Sequence, residues 1–225
     1  MEAVTDSSPA AERHSRPLSA LEFALGAAVV IGHNVLRILP NEVPILFAAA
    51  LISFRLREGW WALGLRRPKS WRRVILIAVA AVALNILMGF VIEAATAPFW
   101  PPAVAPAGAG LIRRSFVGIM VGLVVVWTFA AIAEEVGYRA YLTKRAADLG
   151  GGAPWAWWGA TLAVSVLFGF GHYFKGPAGV LDAADAGLII GAAYLISGRS
   201  LWTAILAHGL QDTVAVVCAY FGVAS

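Results

Sequence analysis

Three short stretches place ionisable side chains inside otherwise apolar runs. They are Ala131-Ile-Ala-Glu134-Glu135-Val-Gly-Tyr-Arg139-Ala-Tyr-Leu142, Phe168-Gly-Phe-Gly-His172 and Ala207-His208-Gly-Leu-Gln-Asp212. A charged side chain in hydrocarbon costs ~2.5–3.5 kcal/mol even on the lenient insertion scale, so each such group needs a partner or a purpose. Glu135 and Arg139 are four apart with the acid first, which puts them on one helical face as an ion pair. Glu134 lies about 100° around the helix and is left without that partner. His208 and Asp212 also stand one turn apart on a common face. A purely structural account would let both glutamates neutralise Arg139, leave His172 at an interface and make His208–Asp212 a packing pair. Against it, three separate runs each contribute an expensive polar group that the other two could satisfy.

The chemistry open to such a set is water activation. An ionised Glu134 can accept a proton from a water that His172 also holds, while His208 and Asp212 face the oxygen that becomes negative during attack on a carbonyl. Sequence signs of a covalent nucleophile are absent: no Gly-x-Ser-x-Gly occurs, and Cys218 lies apart in an apolar run. The His-Glu-x-x-His helix of zinc proteases is missing too. No cofactor is therefore favoured. Spacing still leaves zinc open, since Glu134, His172 and His208 make a two-histidine, one-carboxylate set.

The elements that must position these groups are membrane helices. With 60% hydrophobic and 13% charged residues, the chain of 225 carries more apolar surface than a soluble domain of that size could hide. Apolar runs at about 18–39, 43–54, 74–97, 116–142, 156–174, 179–197 and 200–222 are each near the ~20 residues that cross a bilayer, except the second. Strand alternation is absent and every backbone group in lipid must be paired, so the expected fold is all-α, a polytopic transmembrane bundle of six to eight helices. Residues 1–17, with Glu2, Asp6, Glu12, Arg13 and Arg16, read as a mobile polar tail and not as a cleaved signal peptide. Residues 18–225 then form one domain. The linkers Pro98–Gly110 and Leu149–Pro154 are not domain boundaries.

Arg55, Arg57, Arg66, Arg67, Lys69, Arg72 and Arg73 crowd one loop, which the positive-inside rule places in the cytoplasm. If the second run crosses, twelve basic residues fall on that side, among them Arg13, Arg16, a Lys144–Arg145 turn and an Arg199 turn, only Arg37, Arg113, Arg114 and Lys175 on the other, and Arg139 stays within the membrane. The net charge of +4 thus reflects topology, and nucleic-acid binding is not expected. A single cysteine rules out an intrachain disulfide, and no disulfide-linked partner is expected. The expected setting is the plasma membrane of a prokaryote, with the lipid bilayer and a membrane-associated peptide or protein substrate as partners.

Glu134-Glu135-x-x-x-Arg139, then Phe168-x-x-x-His172, then His208-x-x-x-Asp212 resemble the CPBP family of intramembrane proteases, the CAAX proteases and bacteriocin-processing enzymes also called Abi proteins. Gly187-Leu-Ile-Ile-Gly191 and Ser197-Gly-Arg-Ser-Leu-Trp202 resemble the lead-in to the last motif, so the likeness covers about residues 120–216. The resemblance implies an endopeptidase in which Glu134 and His172 activate water, His208 and the residue at 212 stabilise the oxyanion, and Glu135, Arg139 and Phe168 support them. The family has been viewed both as metal-dependent and as metal-free. Asp212 stands where the eukaryotic CAAX-processing branch carries asparagine, and an ionised Asp cannot donate to an oxyanion; it must be protonated, orient His208 or bind a metal. A non-catalytic scaffold or immunity protein of the same fold, and a proton-coupled transporter, are the competing expectations. One geometric conflict remains. A fourth span centred near 129 sets Glu134 ~15 Å or more in depth from His172 at 1.5 Å per residue, and the simplest repair starts that span near 122 and runs the fifth past Phe174.

Overall fold

The computed structural model describes residues 9–104 and 109–222, and among them all regular structure is helical. Eight helices follow in order: α1 (Pro9–Asn34), α2 (Glu42–Arg57), α3 (Trp71–Thr96), the short α4 (Ala109–Ile112), α5 (Phe116–Leu149), α6 (Pro154–Gly171), α7 (Gly176–Ile196) and α8 (Leu201–Phe221). Each of the seven apolar runs is the body of one long helix. Four stretches, Trp71–Thr96, Phe116–Leu149, Tyr173–Ile196 and Leu201–Phe221, are by themselves long and apolar enough to cross a membrane. The chain is an integral membrane protein. At 16 residues α2 reaches roughly 24 Å, short of the hydrocarbon core, as its short run implied.

Contacts between helix ends give the chain two poles. At one, Leu201 N–H donates to Gly64 O, Trp202 Nε1–H to Leu65 O and Arg73 Nη2 to Ile196 O, while Trp71 and Trp202 pack 5.8 Å apart. At the other, Val104 N–H donates to Lys175 O and Arg114 N–H to Tyr220 O. Successive long helices run between these poles, so the basic 55–73 loop, Arg145 and Arg199 share one end and Arg37, Arg114 and Lys175 the other.

Three expectations are corrected. Residues 1–8 of the expected polar tail lie outside the described residues, but from Pro9 onward the tail is the first part of α1. Ala-Ala-Glu-Arg favours a helix once proline has set its first turn. Lys144 and Arg145 are not in a turn: α5 runs on to Leu149, and Arg145 is wholly buried. Its guanidinium meets Glu22 (2.9 Å), Glu58 (2.6 and 2.8 Å), Asp148 (3.2 Å) and Ser53 (2.9 Å), a set of carboxylates that allows the charge to leave water. Arg57 joins through Glu22 and Ser19. The cluster fastens α1, α2 and α5 together at the basic pole. Finally, α6 stops at Gly171, where the expected repair ran it past Phe174.

The turn between α5 and α6 needs left-handed backbone at Gly151 (φ 67°) and Gly152 (φ 68°), which glycine adopts without steric cost. Between Val126 and Leu142, α5 is π-wound in two stretches, Val126–Glu134 and Val136–Leu142. With i→i+5 bonding the turn is wider, successive side chains diverge less, and Glu134 and Glu135 face more nearly the same way than an α-helix allows.

Candidate active site

Phe168 is the hub. Its ring is 3% exposed and has Tyr138 edge-on at 5.0 Å, His172 at 4.7 Å and His208 edge-on at 5.9 Å, with the Arg139 guanidinium 4.5 Å over its face. Side chains from α5, from the end of α6 and from α8 therefore meet at one level, and the depth conflict disappears. Its cause was the assumed centre of the fourth span, since α5 extends seven residues past Leu142.

Close packing of α6 on α7 sets that hub. A Cβ at Gly169 would lie 2.7 Å from Val180 O, one at Gly187 3.3 Å from Phe168 Cδ1, and one at Gly191 2.5 Å from Thr161 Cγ2. Small residues let the two backbones approach, and the approach holds Phe168 against α5 and α8. On α8, Gly209 makes room for Trp127, whose Nε1–H donates to Thr213 Oγ1 at 3.2 Å. From α3, Asn85 donates to Gln211 Oε1 at 2.5 Å.

Beneath the hub lies a buried ionic group. Glu135 is fully buried and its Oε1 meets Arg139 Nη1 at 2.9 Å and His208 Nδ1 at 2.7 Å, while Arg139 Nη2 reaches Gly187 O at 3.4 Å. The i, i+4 spacing foretold the first contact. It did not foretell the second, because helical spacing assigns partners along one helix and Glu135–His208 joins two. His208 Nε2 faces Asp212 Oδ2 at 3.6 Å, a longer contact, so Glu135 is the residue that orients the ring. Glu135 Oε2 has no hydrogen-bond partner among the described residues.

Nearer the open side, Glu134, His172 and Asp212 are half-buried. His172 caps α6, and its Nδ1 is 3.0 Å from Phe168 O. A carbonyl can only accept, so Nδ1 carries the proton and Nε2 is left with a free lone pair. Glu134 makes no hydrogen bond or ion pair among the described residues and stands within electrostatic reach of His208, Asp212, Glu135 and Arg139. An unpaired carboxylate within electrostatic reach of His208 and Asp212 is an arrangement able to take a proton from water. Among the described residues no three His, Cys, Asp or Glu side chains form a group able to hold a metal ion. Both histidines are engaged through Nδ1, which leaves Nε2 of each as the nitrogen able to meet water or an ion.

Two residues absent from the sequence reading lie at the edge of this site. Tyr138 sits inside the first motif, and Glu42 opens α2 directly after its cap Asn41, whose Oδ1 accepts from Val43 N–H at 2.9 Å. An acid at a helix start is ordinary dipole chemistry, which hid Glu42.

Residues 116–214 match the family model described as Rce1-like, type II CAAX prenyl endopeptidase, in agreement with the CPBP resemblance of the three motifs. No curated protein and no solved structure matches the chain.

Proposed function

Taking residues 116–214 as an Rce1-like segment consistent with CPBP intramembrane proteases, we propose that the chain is a membrane endopeptidase that hydrolyses a peptide bond by direct attack of water. The observation that carries this reading is the convergence of α5, α6 and α8 on Phe168, with an unpaired Glu134 in electrostatic reach of His208 and Asp212. One water hydrogen is donated to the Glu134 carboxylate and the other to His172 Nε2, leaving an oxygen lone pair for the carbonyl carbon. As the C–O bond forms, Glu134 takes the proton. The carbonyl oxygen becomes an oxyanion facing Nε2 of a protonated His208, whose Nδ1–H is held by Glu135. Asp212, 3.6 Å from the same nitrogen, adds negative charge that favours the protonated ring and does not itself donate. When the C–N bond breaks, the amine leaves with the proton from Glu134, and the products are one carboxylic acid and one amine.

The substrate is a membrane-associated peptide or protein. With the basic pole in the cytoplasm of a prokaryotic cell, the site opens in the half of the bilayer away from it. Glu134→Gln removes the base and keeps the shape. A proteomic comparison of membranes holding the wild-type chain and this variant is expected to show fragments in the first and intact substrate in the second. Equal fragment patterns from a folded Glu134→Gln protein would reject the mechanism.

A further inference from the structure

Any peptide cleaved inside a bilayer must be unwound around the scissile bond, and its freed N–H and C=O groups then need partners in surroundings that offer no water. Glu134, His172 and His208 are committed to the reacting carbonyl and the water. The neighbouring amides need other groups.

Such groups stand beside His172. Tyr138 is 1% exposed and its hydroxyl makes no hydrogen bond among the described residues. That hydroxyl lies 2.9 Å from where a Cβ of Gly171 would be, and Glu42 Oε1 lies 3.8 Å from the same point. Glu42 is 6% exposed, and its other oxygen, Oε2, faces His33 Nε2 at 3.4 Å. His33 is fixed in turn through Nδ1 on Leu39 O at 3.0 Å. One carboxylate oxygen is therefore tethered to α1 and the other turned toward Tyr138 and Gly171. Tyr138 is within electrostatic reach of both Glu42, the new carboxylate, and Glu134, the proposed base. A cavity of about 370 Å³ lined by His33, Asn34, Arg37, Leu39 and Phe174 reaches Glu42's partner His33, and the Phe174 ring is 6.1 Å from that of His172.

We propose that Tyr138 and Glu42 form a main-chain subsite for the substrate next to the scissile bond, the Tyr138 hydroxyl donating to a peptide carbonyl and the Glu42 carboxylate accepting from a peptide N–H. A donor and an acceptor side by side match the two polar groups of a backbone, and the missing side chain at Gly171 is what lets the Tyr138 hydroxyl stand there. His33 is a positioning residue that acts through Glu42. The subsite rests on the peptidase reading.

The test uses the full chain in proteoliposomes and a synthetic membrane peptide carrying the cleavage site mapped by the wild-type and Glu134→Gln comparison. A series of single amide-to-ester replacements in that peptide removes one N–H at a time. Tyr138→Phe and Glu42→Gln are each expected to raise KM about tenfold with kcat changed less than about threefold, the signature of lost uniform binding. One ester peptide should be a poorer substrate for the wild type by about tenfold, and on that peptide alone Glu42→Gln should cost nothing further. Tyr138→Phe keeps the ring against Phe168, so if Glu42→Gln fails to fold, the KM of Tyr138→Phe decides. Wild-type cleavage with unchanged KM in the folded variants, or a Glu42→Gln penalty equal on every ester peptide, overturns the subsite alone. A wild-type chain that cleaves nothing overturns both the subsite and the peptidase reading.

Discussion

Glu135 and Asp212 both face His208, and distance decides which matters more. At 2.7 Å, Glu135 shares its Oε1 with Arg139, and Glu135→Gln leaves a buried guanidinium and an imidazole without their counter-charge. Breaking a buried pair from one side costs about 3–5 kcal/mol, so this variant should lose most folded protein and all cleavage. Asp212, 3.6 Å away and one-third exposed, gives up little. Asp212→Asn should keep its melting temperature and lose less than about 1 kcal/mol in kcat/KM. Calorimetry and rate measurements on the two variants check the order, and a larger loss at 212 than at 135 would mean that Asp212 works on the oxyanion and not through the ring. At this scale the sequence was legible along each helix and silent between helices. Glu135–Arg139 followed from spacing, as did the isolation of Glu134. Glu135–His208 and the approach of Glu42 to Tyr138 are set by how helices pack, which no spacing encodes.

Helix identity was the most readable part. Apolar runs announced all seven long helices, and the brevity of α2 announced itself as well. Where the reading failed, at the tail, at Arg145 and at the ends of the fourth and fifth runs, the missing information was a partner: hydropathy counts Arg145 as a boundary unless it knows that Glu22 and Glu58 lie beside it. The π-winding was hidden for a related reason, since side-chain composition is the same whether a turn closes after four residues or five. Glycines show the limit clearly. Gly159 and Gly169 sit on the same helix, yet a Cβ at Gly159 meets nothing within 4 Å while one at Gly169 would press on the backbone oxygen of Val180. Gly169→Ala should destabilise by about 1–3 kcal/mol and depress cleavage by displacing Phe168, whereas Gly159→Ala should leave both unchanged. Thermal unfolding and activity of the pair decide it, and equal behaviour would show that α6 is not wedged on α7 as described.

Across the whole molecule, the site and the Arg145 cluster occupy different parts of one continuous helix. Burial pushes the Glu58 carboxyl up, but its hydrogen bonds and charge contact with Arg145, with help from Lys144 and Arg57, hold it below the usual carboxylate range overall. A group depressed by folding stabilises fully above its unfolded pKa and ceases to as pH falls through the folded one. The melting temperature in lipid should therefore fall as the solution is acidified through and below the ordinary carboxylate range, and Glu58→Gln should flatten that part of the curve. A wild-type curve that the substitution leaves unaltered would show that other carboxylates set the acid limit. The wide winding of α5 also bears on how the length of this chain can vary. A ladder bonded i→i+5 holds a residue more per turn than an α-helix does, so deleting one between Val126 and Glu134 lets it close in ordinary register with every backbone bond kept. The wide turn had already taken up the extra residue, so its loss turns the two sides of the helix against each other far less than the roughly 100° that the same deletion imposes on an α-helix. Elsewhere in a membrane helix a lost residue swings every later side chain to another face. Here it is slack, and the glutamates after the deletion keep nearly the facing they have.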